Sequence, residues 1–330
     1  MTYFRALPQV ARPIPEGAYQ LAGGWCWFDR LEVLDRSGRS EIIAAKEAPE
    51  EVLKELTGKR PRVAGMSMSE PNTMGILNVT PDSFSDGGLF DTTPSAAKQA
   101  KEMIAHGVQI VDIGGESTRP GAQEVKADQE IERVVPAIHA VRVQSDVPIS
   151  IDTRKAAVAK AALNAGANLV NDVSALSYDP ALAGAVADSG APVCLMHAQG
   201  NPQTMQANPQ YDNVVLDVYD YLLDRIKFAA QAGISKEKIV VDPGIGFGKT
   251  AEHNLALLHR ISIFHSLGCP ILLGASRKKF VGTISGEPYA KERVGGSLAI
   301  ALNAYAQGVQ ILRVHDTKET TQALRLAQEL

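Results

Sequence analysis

The alternation of strand and helix is clearest in the stretch Pro148-Ile-Ser-Ile-Asp-Thr-Arg-Lys-Ala-Ala-Val-Ala-Lys-Ala-Ala-Leu-Asn-Ala-Gly-Ala-Asn-Leu-Val-Asn-Asp-Val-Ser174. A short apolar run, Pro148 to Asp152, precedes an amphipathic stretch, Lys155 to Ala165, and a second short run, Asn168 to Ser174. Such runs are typical of parallel strands buried on both faces. Gly166 stands where the helix should end, because glycine accepts the left-handed conformation of a helix C-cap. The stretch therefore predicts a strand, a helix and a parallel strand.

The same unit recurs from about Met74 to the end of the chain. Amphipathic stretches such as Pro94 to His106 and Tyr211 to Ala232 follow the apolar runs, and glycines again stand at predicted helix ends, at Gly107, Gly233 and Gly308. We count eight strand candidates, which are Met74 to Thr80, Val108 to Gly115, Pro148 to Asp152, Asn168 to Ser174, Pro192 to His197, Lys238 to Gly244, Cys269 to Ser276 and Gln310 to His315.

Eight repeats of strand and helix within residues 72–330 predict an α/β fold, a (β/α)8 TIM barrel. An open doubly wound sheet is the competing architecture. Residues 1–71 lack the repeat and contain a predicted hairpin, Gly24 to Ile43, and a short helix, Pro49 to Leu56. We expect a small α+β extension of unknown role that packs against the catalytic barrel of residues 72–330.

Composition excludes several classes of function. The chain has 330 residues, 45% hydrophobic and 21% charged, with a formal net charge of −4, which gives no general attraction to nucleic acid or anionic membranes. Three widely spaced cysteines suit neither a disulfide framework nor a zinc ribbon. No signal peptide and no apolar run near the length of a membrane span, about 18 residues, is found. We expect a cytoplasmic protein with small-molecule partners.

Polar residues close every predicted strand. In a barrel of this kind the carboxyl ends of the strands meet at one mouth, where the chemistry takes place. One set is cationic and suits an anion such as diphosphate: Arg313, His315, Lys278, Arg277, Arg119 and Lys249. A second set of carboxylates and amides can accept hydrogen bonds from the N–H edge of a heterocycle: Asp112, Asp152, Asn171 and Asp242. The mouth therefore suits a heterocycle that carries phosphate.

The sequence contains no complete motif for a nucleotide cofactor or a catalytic zinc ion. Gly244-Ile-Gly-Phe-Gly248 lacks the spacing of a dinucleotide fingerprint, and no Walker A sequence is present. The seven histidines are scattered, with His197 and His315 at strand ends, so a catalytic zinc site is not indicated. A hard-ion site that combines Asn78 with phosphate oxygens and water would suit Mg²⁺.

Two long segments resemble the signature segments of dihydropteroate synthases, a pterin-binding TIM-barrel family. They are Met74-Gly-Ile-Leu-Asn-Val-Thr-Pro-Asp-Ser-Phe-Ser-Asp-Gly-Gly88 and Asp112-Ile-Gly-Gly-Glu-Ser-Thr-Arg-Pro-Gly-Ala122. Three shorter segments, which begin at Asp242, Ser276 and Arg313, match the same family in the same order. The resemblance covers about residues 72–330 and leaves the N-terminal extension outside.

The resemblance implies roles for individual residues. Asp152, Asn171, Asp242 and Lys278 would hold the pterin ring, with Met196 and Phe247 beside it, although core packing explains those two equally well. Asn78, Arg313 and His315 would bind the diphosphate and its Mg²⁺. Further residues would complete the site, namely Asp82 in the first loop and Thr118 and Arg119 in the second, with Phe84, Pro120, Lys278 and Ser276 around p-aminobenzoate. Arg154 differs from many family members, and we interpret it as the start of an exposed helix.

The implied reaction displaces diphosphate from a dihydropterin methylene by the amine of p-aminobenzoate, with Asp82, Arg119 and Lys278 as catalytic groups. The resemblance also implies a homodimer and ordinary sulfonamide sensitivity. A pterin-binding methyltransferase barrel is the first alternative, but the intact Ser276-Arg-Lys and Arg313-Val-His segments favour the synthase, since a methyltransferase has no diphosphate to neutralise. A non-catalytic pterin-binding barrel is the second alternative.

Overall fold

The N-terminal extension comprises a small sheet and one helix. In this computed structural model, residues 1–80, 92–117, 122–200 and 204–330 are described. The predicted hairpin and helix are confirmed, and a first strand that the sequence did not indicate joins the hairpin in the order β1-β4-β5. The elements are β1 Thr2–Ala6, β2 Tyr19–Gln20, β3 Trp27–Phe28, β4 Arg30–Asp35, β5 Ser40–Ala44 and α1 Glu50–Thr57.

Eight parallel strands then alternate with helices, as predicted. The strands are β6 Asn72–Asn78, β7 Ile110–Gly114, β8 Ile149–Asp152, β9 Leu169–Asp172, β10 Val193–Met196, β11 Ile239–Asp242, β12 Leu272–Leu273 and β13 Ile311–Val314. The α-helices are α2 Thr92–His106, α3 Ala127–Arg142, α4 Ala156–Asn164, α5 Leu182–Ser189, α6 Val214–Gln231, α7 Ala251–His259, α8 Lys279–Ser285, α9 Val294–Ala306 and α10 Thr317–Glu329. A 3₁₀ helix, Ile261–Leu267, precedes β12.

The eight strands form one sheet in the order β11-β10-β9-β8-β7-β6-β13-β12. A parallel bridge between Val241 and Ile271 joins the two ends of this order, so the sheet closes into the predicted barrel. Strand β12 is shorter than the predicted run from Cys269, because Pro270 has no backbone N–H to donate to the ladder. The four glycines predicted at helix ends all have positive φ, from +78° at Gly308 to +112° at Gly166.

An apolar layer fills the lower half of the barrel. It takes one side chain from each of seven strands: Met74, Ile110, Leu169, Cys194, Val240, Leu272 and Ile311. Val63, Met66 and Met68, from the segment that links the extension to β6, join the same cluster. Since side chains alternate along a strand, the residues two positions further on face the same interior, one layer closer to the mouth. The apolar layer therefore forms the floor of the site.

The extension packs on the outside of the barrel, as expected. Arg36 pairs with Asp217 of α6 at 2.8 Å, and the Arg60 guanidinium donates to the His265 carbonyl at 2.8 Å. The Trp25 ring stacks on Tyr305 of α9 with 5.4 Å between centroids, and its indole N–H donates to the Tyr305 carbonyl at 2.9 Å. No helix in the described ranges is long and apolar enough to span a bilayer.

Truncation of Trp25 tests whether this packing contributes to stability. Since Trp25 is partly buried, Trp25→Ala should lower the free energy of unfolding by about 2 kcal/mol, somewhat less than for a core tryptophan. Trp25→Phe keeps an aromatic ring to stack on Tyr305 but loses the N–H donor and part of the ring area, so it should cost about half as much, near 1 kcal/mol. Thermal unfolding by calorimetry measures both. Equal melting temperatures for Trp25→Ala and wild type would show that the extension does not stabilise the barrel.

Candidate active site

The layer above the apolar floor is polar. Two positions after apolar-layer residues on four strands lie Asp112, Asn171, Asp242 and Arg313, and Asp152 closes β8 beside them. All three carboxylates are buried, with exposed fractions of 0% for Asp112, 7% for Asp152 and 5% for Asp242. The alternation of the strands thus brings the predicted acceptors together around the barrel axis, as the sequence indicated.

Arg313 connects two of these carboxylates. Its Nε donates to Oδ2 of Asp112 at 2.6 Å, and its Nη2 donates to Oδ2 of Asp152 at 2.8 Å. Burial lowers the pKa of Arg313, but Asp112 and Asp152 outweigh burial and raise it. The guanidinium is therefore fully charged, and it is the positive centre of the layer.

Asp152 retains a free oxygen. Its Oδ1 is buried and has no hydrogen-bond partner in the described parts of the chain. Burial raises the pKa of Asp152 to about 7, since Arg313 opposes this effect only in part and Asp112 adds to it. A buried acceptor without a partner costs free energy, so this oxygen is suited to an N–H donor of a ligand.

Asn171 lies between the carboxylates. Its amide nitrogen is 3.3 Å and 3.4 Å from the two oxygens of Asp112, so the donor side of the amide faces the protein. The amide oxygen is then the group that can face a ligand, because the other side of an Asn side chain is an acceptor.

Asp242 and Lys278 form the opposite wall. Oδ1 of Asp242 accepts the Gly244 N–H at 2.7 Å, which starts the glycine-rich turn of residues 244–248. Lys278 donates to the Ile245 carbonyl in this turn and lies over the Phe247 ring at 4.4 Å from its centroid. Burial raises the pKa of Asp242 and lowers the pKa of Lys278 to about 8, although each charge stabilises the other. Carboxylate, ammonium and aromatic ring thus lie on one side of the mouth.

Four further predicted residues lie at or just after the ends of strands β12, β13, β6 and β10. The His315 N–H donates to Ser276 Oγ at 3.2 Å, and Nδ1 of His315 is 3.2 Å from the same oxygen. Asn78 closes β6 opposite Gly114, and its side chain has no hydrogen-bond partner among the described residues. Met196 is buried at the end of β10. Asn78 and His315 therefore offer polar groups on the β6 and β13 side.

Two cations predicted to face an anion lie elsewhere. Arg277 pairs with Asp316, and its Nε is 3.0 Å from Oδ2 of that carboxylate, so its charge is already compensated within the protein. Lys249 is buried beneath the glycine-rich turn, where its amine meets carbonyl groups and His197. The sequence predicted that both cations face the mouth. In the structure, Asp316 pairs with Arg277, and His197 and the carbonyls of the turn bind Lys249.

Arg154 is not on an exposed helix, which corrects the interpretation from sequence. Its Nε is 3.3 Å from Oε2 of Glu116, and its guanidinium lies 3.8 Å from the centroid of the Tyr178 ring. Glu116 also accepts from Lys155 at 3.1 Å and from the Val125 N–H at 2.8 Å. Arg154 therefore belongs to a buried ion-pair network beside the mouth, where no motif of the sequence indicated it.

A cavity of about 450 Å³ opens beside Phe247. Its lining includes Glu116, Arg154, Tyr178 and Tyr221. This volume is in the range of small-molecule sites, roughly 300 to 1,000 Å³. The remaining predicted site residues lie outside the described residues, namely Asp82, Phe84, Thr118, Arg119 and Pro120.

The fold and the polar layer define a class, a (β/α)8 barrel whose mouth combines acceptors for a nitrogen heterocycle with cations for an anion. Residues 74–315 match the family described as pterin binding enzyme, and the chain belongs to that family. Dihydropteroate synthase of Escherichia coli (strain K12) is 48% identical over 263 residues, which cover 80% of this chain and 93% of the relative.

Solved structures give the same result. A dihydropteroate synthase of Xanthomonas albilineans with 4-aminobenzoic acid is 43% identical, with a TM-score of 0.78 over 82% of this chain and 98% of that chain. The dihydropteroate synthase of Yersinia pestis with a sulfonamide drug is 45% identical, with a TM-score of 0.77 over 82% and 98%. The family resemblance inferred from the sequence is confirmed.

The raised pKa of Asp152 predicts a pH dependence of pterin binding. A protonated carboxyl is a poorer acceptor for the pterin N–H edge, so affinity should increase as the pH rises through about 7. Between pH 6 and pH 8 we expect roughly a tenfold gain in the association constant measured by calorimetry. Asp152→Asn should bind more weakly and show a smaller pH dependence. A wild-type affinity that does not change over this range would contradict the assignment.

Proposed function

We propose that this protein acts as a dihydropteroate synthase. It would condense 6-hydroxymethyl-7,8-dihydropterin diphosphate with p-aminobenzoate, release diphosphate and form 7,8-dihydropteroate for folate biosynthesis. The observation that carries the proposal is the buried layer of Asp112, Asp152, Asn171 and Asp242 next to Arg313 and Lys278, in a chain of the pterin binding family.

The pterin ring would bind in the polar layer. Asp152 offers a buried oxygen without a partner, Asn171 an amide oxygen and Asp242 a carboxylate, which together suit the N–H donors of the ring. Lys278 would donate to an acceptor atom of the pterin. Met196 and Phe247 would pack against its faces, because both lie beside these polar groups.

The diphosphate would lie towards β6 and β13. Asn78 and His315 are the polar groups there, and Nη1 of Arg313, which is bonded to neither Asp112 nor Asp152, can donate to a phosphate oxygen. The neutral oxygen of Asn78 fits Mg²⁺ as one ligand of a site completed by phosphate and water, and no cluster of three metal-binding side chains is found among the described residues. Mg²⁺ would neutralise charge on the leaving diphosphate.

The chain's own groups would supply the rest of catalysis electrostatically. The arylamine nitrogen forms a bond to the pterin methylene carbon while the bond from that carbon to the diphosphate oxygen breaks, and the amine releases a proton. Arg313 and His315 stabilise the negative charge that develops on the leaving group. Lys278, with Ser276, Phe84 and Pro120, would position the arylamine, and Asp82, Thr118 and Arg119 would complete the site.

Detection of the product by mass spectrometry tests this function. Purified protein with both substrates and Mg²⁺ should form dihydropteroate, and Lys278→Ala should reduce kcat/KM at least a hundredfold, about 3 kcal/mol of transition-state stabilisation. Lys279→Ala removes the neighbouring, exposed lysine and should retain activity. Tight pterin binding without any product would favour the methyltransferase or the non-catalytic barrel.

Mg²⁺ removal and Asn78→Ala test the metal proposal. Chelation should abolish turnover and addition of Mg²⁺ should restore it, whereas Asn78→Ala should raise the Mg²⁺ concentration for half-maximal rate roughly tenfold, since one of about six ligands is lost. Full activity in excess chelator would exclude a metal role.

Sulfonamide inhibition tests the arylamine site. A sulfonamide resembles p-aminobenzoate, so inhibition should be competitive with p-aminobenzoate and not with the dihydropterin substrate. Inhibition that does not depend on the p-aminobenzoate concentration would place the drug elsewhere. Location in the cytoplasm and a homodimeric state stay predictions, and light scattering that gives a monomer at micromolar concentration would exclude the second.

A further inference from the structure

Lys249 is a buried amine next to the proposed pterin site, and the proposed reaction does not use it. It follows the glycine-rich turn of residues 244–248 and is 3% exposed. A buried lysine amine costs free energy unless hydrogen bonds satisfy it, so its partners indicate what it does.

The amine joins the ends of two adjacent strands. It donates to the carbonyl oxygens of Gly244 at 2.9 Å and Phe247 at 3.0 Å, both in the turn after β11. It also lies 2.8 Å from Nδ1 of His197, which directly follows β10. One amine thereby satisfies two carbonyls of the turn and contacts the residue that ends the neighbouring strand.

The surroundings hold the acceptors in place. The His197 ring packs edge-on against Tyr221 with 4.8 Å between centroids, and the Tyr211 hydroxyl donates to the Gly248 carbonyl at 2.8 Å. Asn254 accepts the Gly246 N–H at 2.7 Å. These two hydrogen bonds tie the turn to α7 and to the segment before α6, and the ring contact holds His197 against α6.

The turn can lie against the end of β10 only because of its glycines. Gly244 has φ of +67°, and a Cβ atom there would collide with the His197 carbonyl. The same turn exposes the Ile245 carbonyl and the Phe247 ring towards Lys278, whose side chain would be 3.0 Å from a Cβ atom on Gly246. The position of Lys278 therefore depends on the shape of the turn.

We propose that Lys249 is a positioning residue, which fixes the glycine-rich turn so that Phe247 and the Ile245 carbonyl hold Lys278 in place for the pterin. This inference rests on the proposed function, because it concerns the same pterin site. Lys249 touches neither substrate and acts through the turn.

Protonation states are consistent with this role. Burial lowers the pKa of Lys249 well below its ordinary value, and burial, assisted by Lys249, does the same for His197. An amine can donate to both carbonyls whether or not it carries a third proton, so its support of the turn does not depend on its charge.

The test compares Lys249→Met with Val141→Ala. Methionine keeps most of the side-chain volume but removes all hydrogen bonds, whereas Val141 is buried in α3, away from the turn, and controls for lost stability. Calorimetry with dihydropterin diphosphate, at a temperature where both variants are folded, should give a Kd at least tenfold higher for Lys249→Met and within twofold of wild type for Val141→Ala. Equal affinity for Lys249→Met and wild type would overturn the inference.

A second pair of variants leaves Lys249 in place. His197→Gln keeps a hydrogen-bonding group for the amine, and His197→Leu removes it. We expect near-normal pterin affinity for His197→Gln and a several-fold loss of affinity for His197→Leu. Equal affinity for the two variants would contradict the inference. This test remains valid even if Lys249→Met does not fold. Failure of wild type to form dihydropteroate would refute the proposed function, whereas product formation with unchanged pterin affinity in these variants would refute only the role of Lys249.

Discussion

Arg313 lies between Asp112 and Asp152 inside the barrel, and the polar layer depends on this contact. Two carboxylates so close in a poorly solvated interior repel each other, and each alone would tend to become protonated. The guanidinium of Arg313 donates one hydrogen bond to each carboxylate and so partly compensates both negative charges. Loss of one partner from such a buried group typically costs about 3 to 5 kcal/mol, since a charge is left uncompensated. The contact thus couples the stability of the barrel to its binding chemistry.

The polar layer also requires the apolar layer beneath it. Met74, Ile110 and Ile311 belong to the floor, and Val63 and Met66 of the preceding segment join them. This floor excludes water from below, so the carboxylates are accessible from the mouth alone. A low-dielectric site of this kind strengthens each interaction with a charged or polar ligand. The segment that precedes β6 thereby helps to form the apolar floor beneath the polar residues of the site.

Much of this arrangement could be predicted from sequence. The period of the apolar runs and the glycines at helix ends predicted the eight strand–helix units, and the polar residue at the end of each run indicated the mouth. Side-chain directions beyond the strand ends could not be predicted. Arg277 pairs with Asp316, Arg154 with Glu116, and Lys249 with a turn and a histidine, and each of these partners is either distant in sequence or held by a loop. Strand β1 was missed for a related reason, since its pairing with β4 brings together segments far apart in the chain.

A crystal structure of the complex with dihydropterin diphosphate would show whether the polar layer binds the pterin. We expect the ring to lie in the polar layer, with an N–H donor on the free Oδ1 of Asp152, the Asn171 amide oxygen and Asp242 as further acceptors, and the diphosphate towards His315. A ring bound outside the polar layer, with Arg313 still paired to Asp112 and Asp152 and no ligand in contact with them, would contradict this assignment of the pterin site.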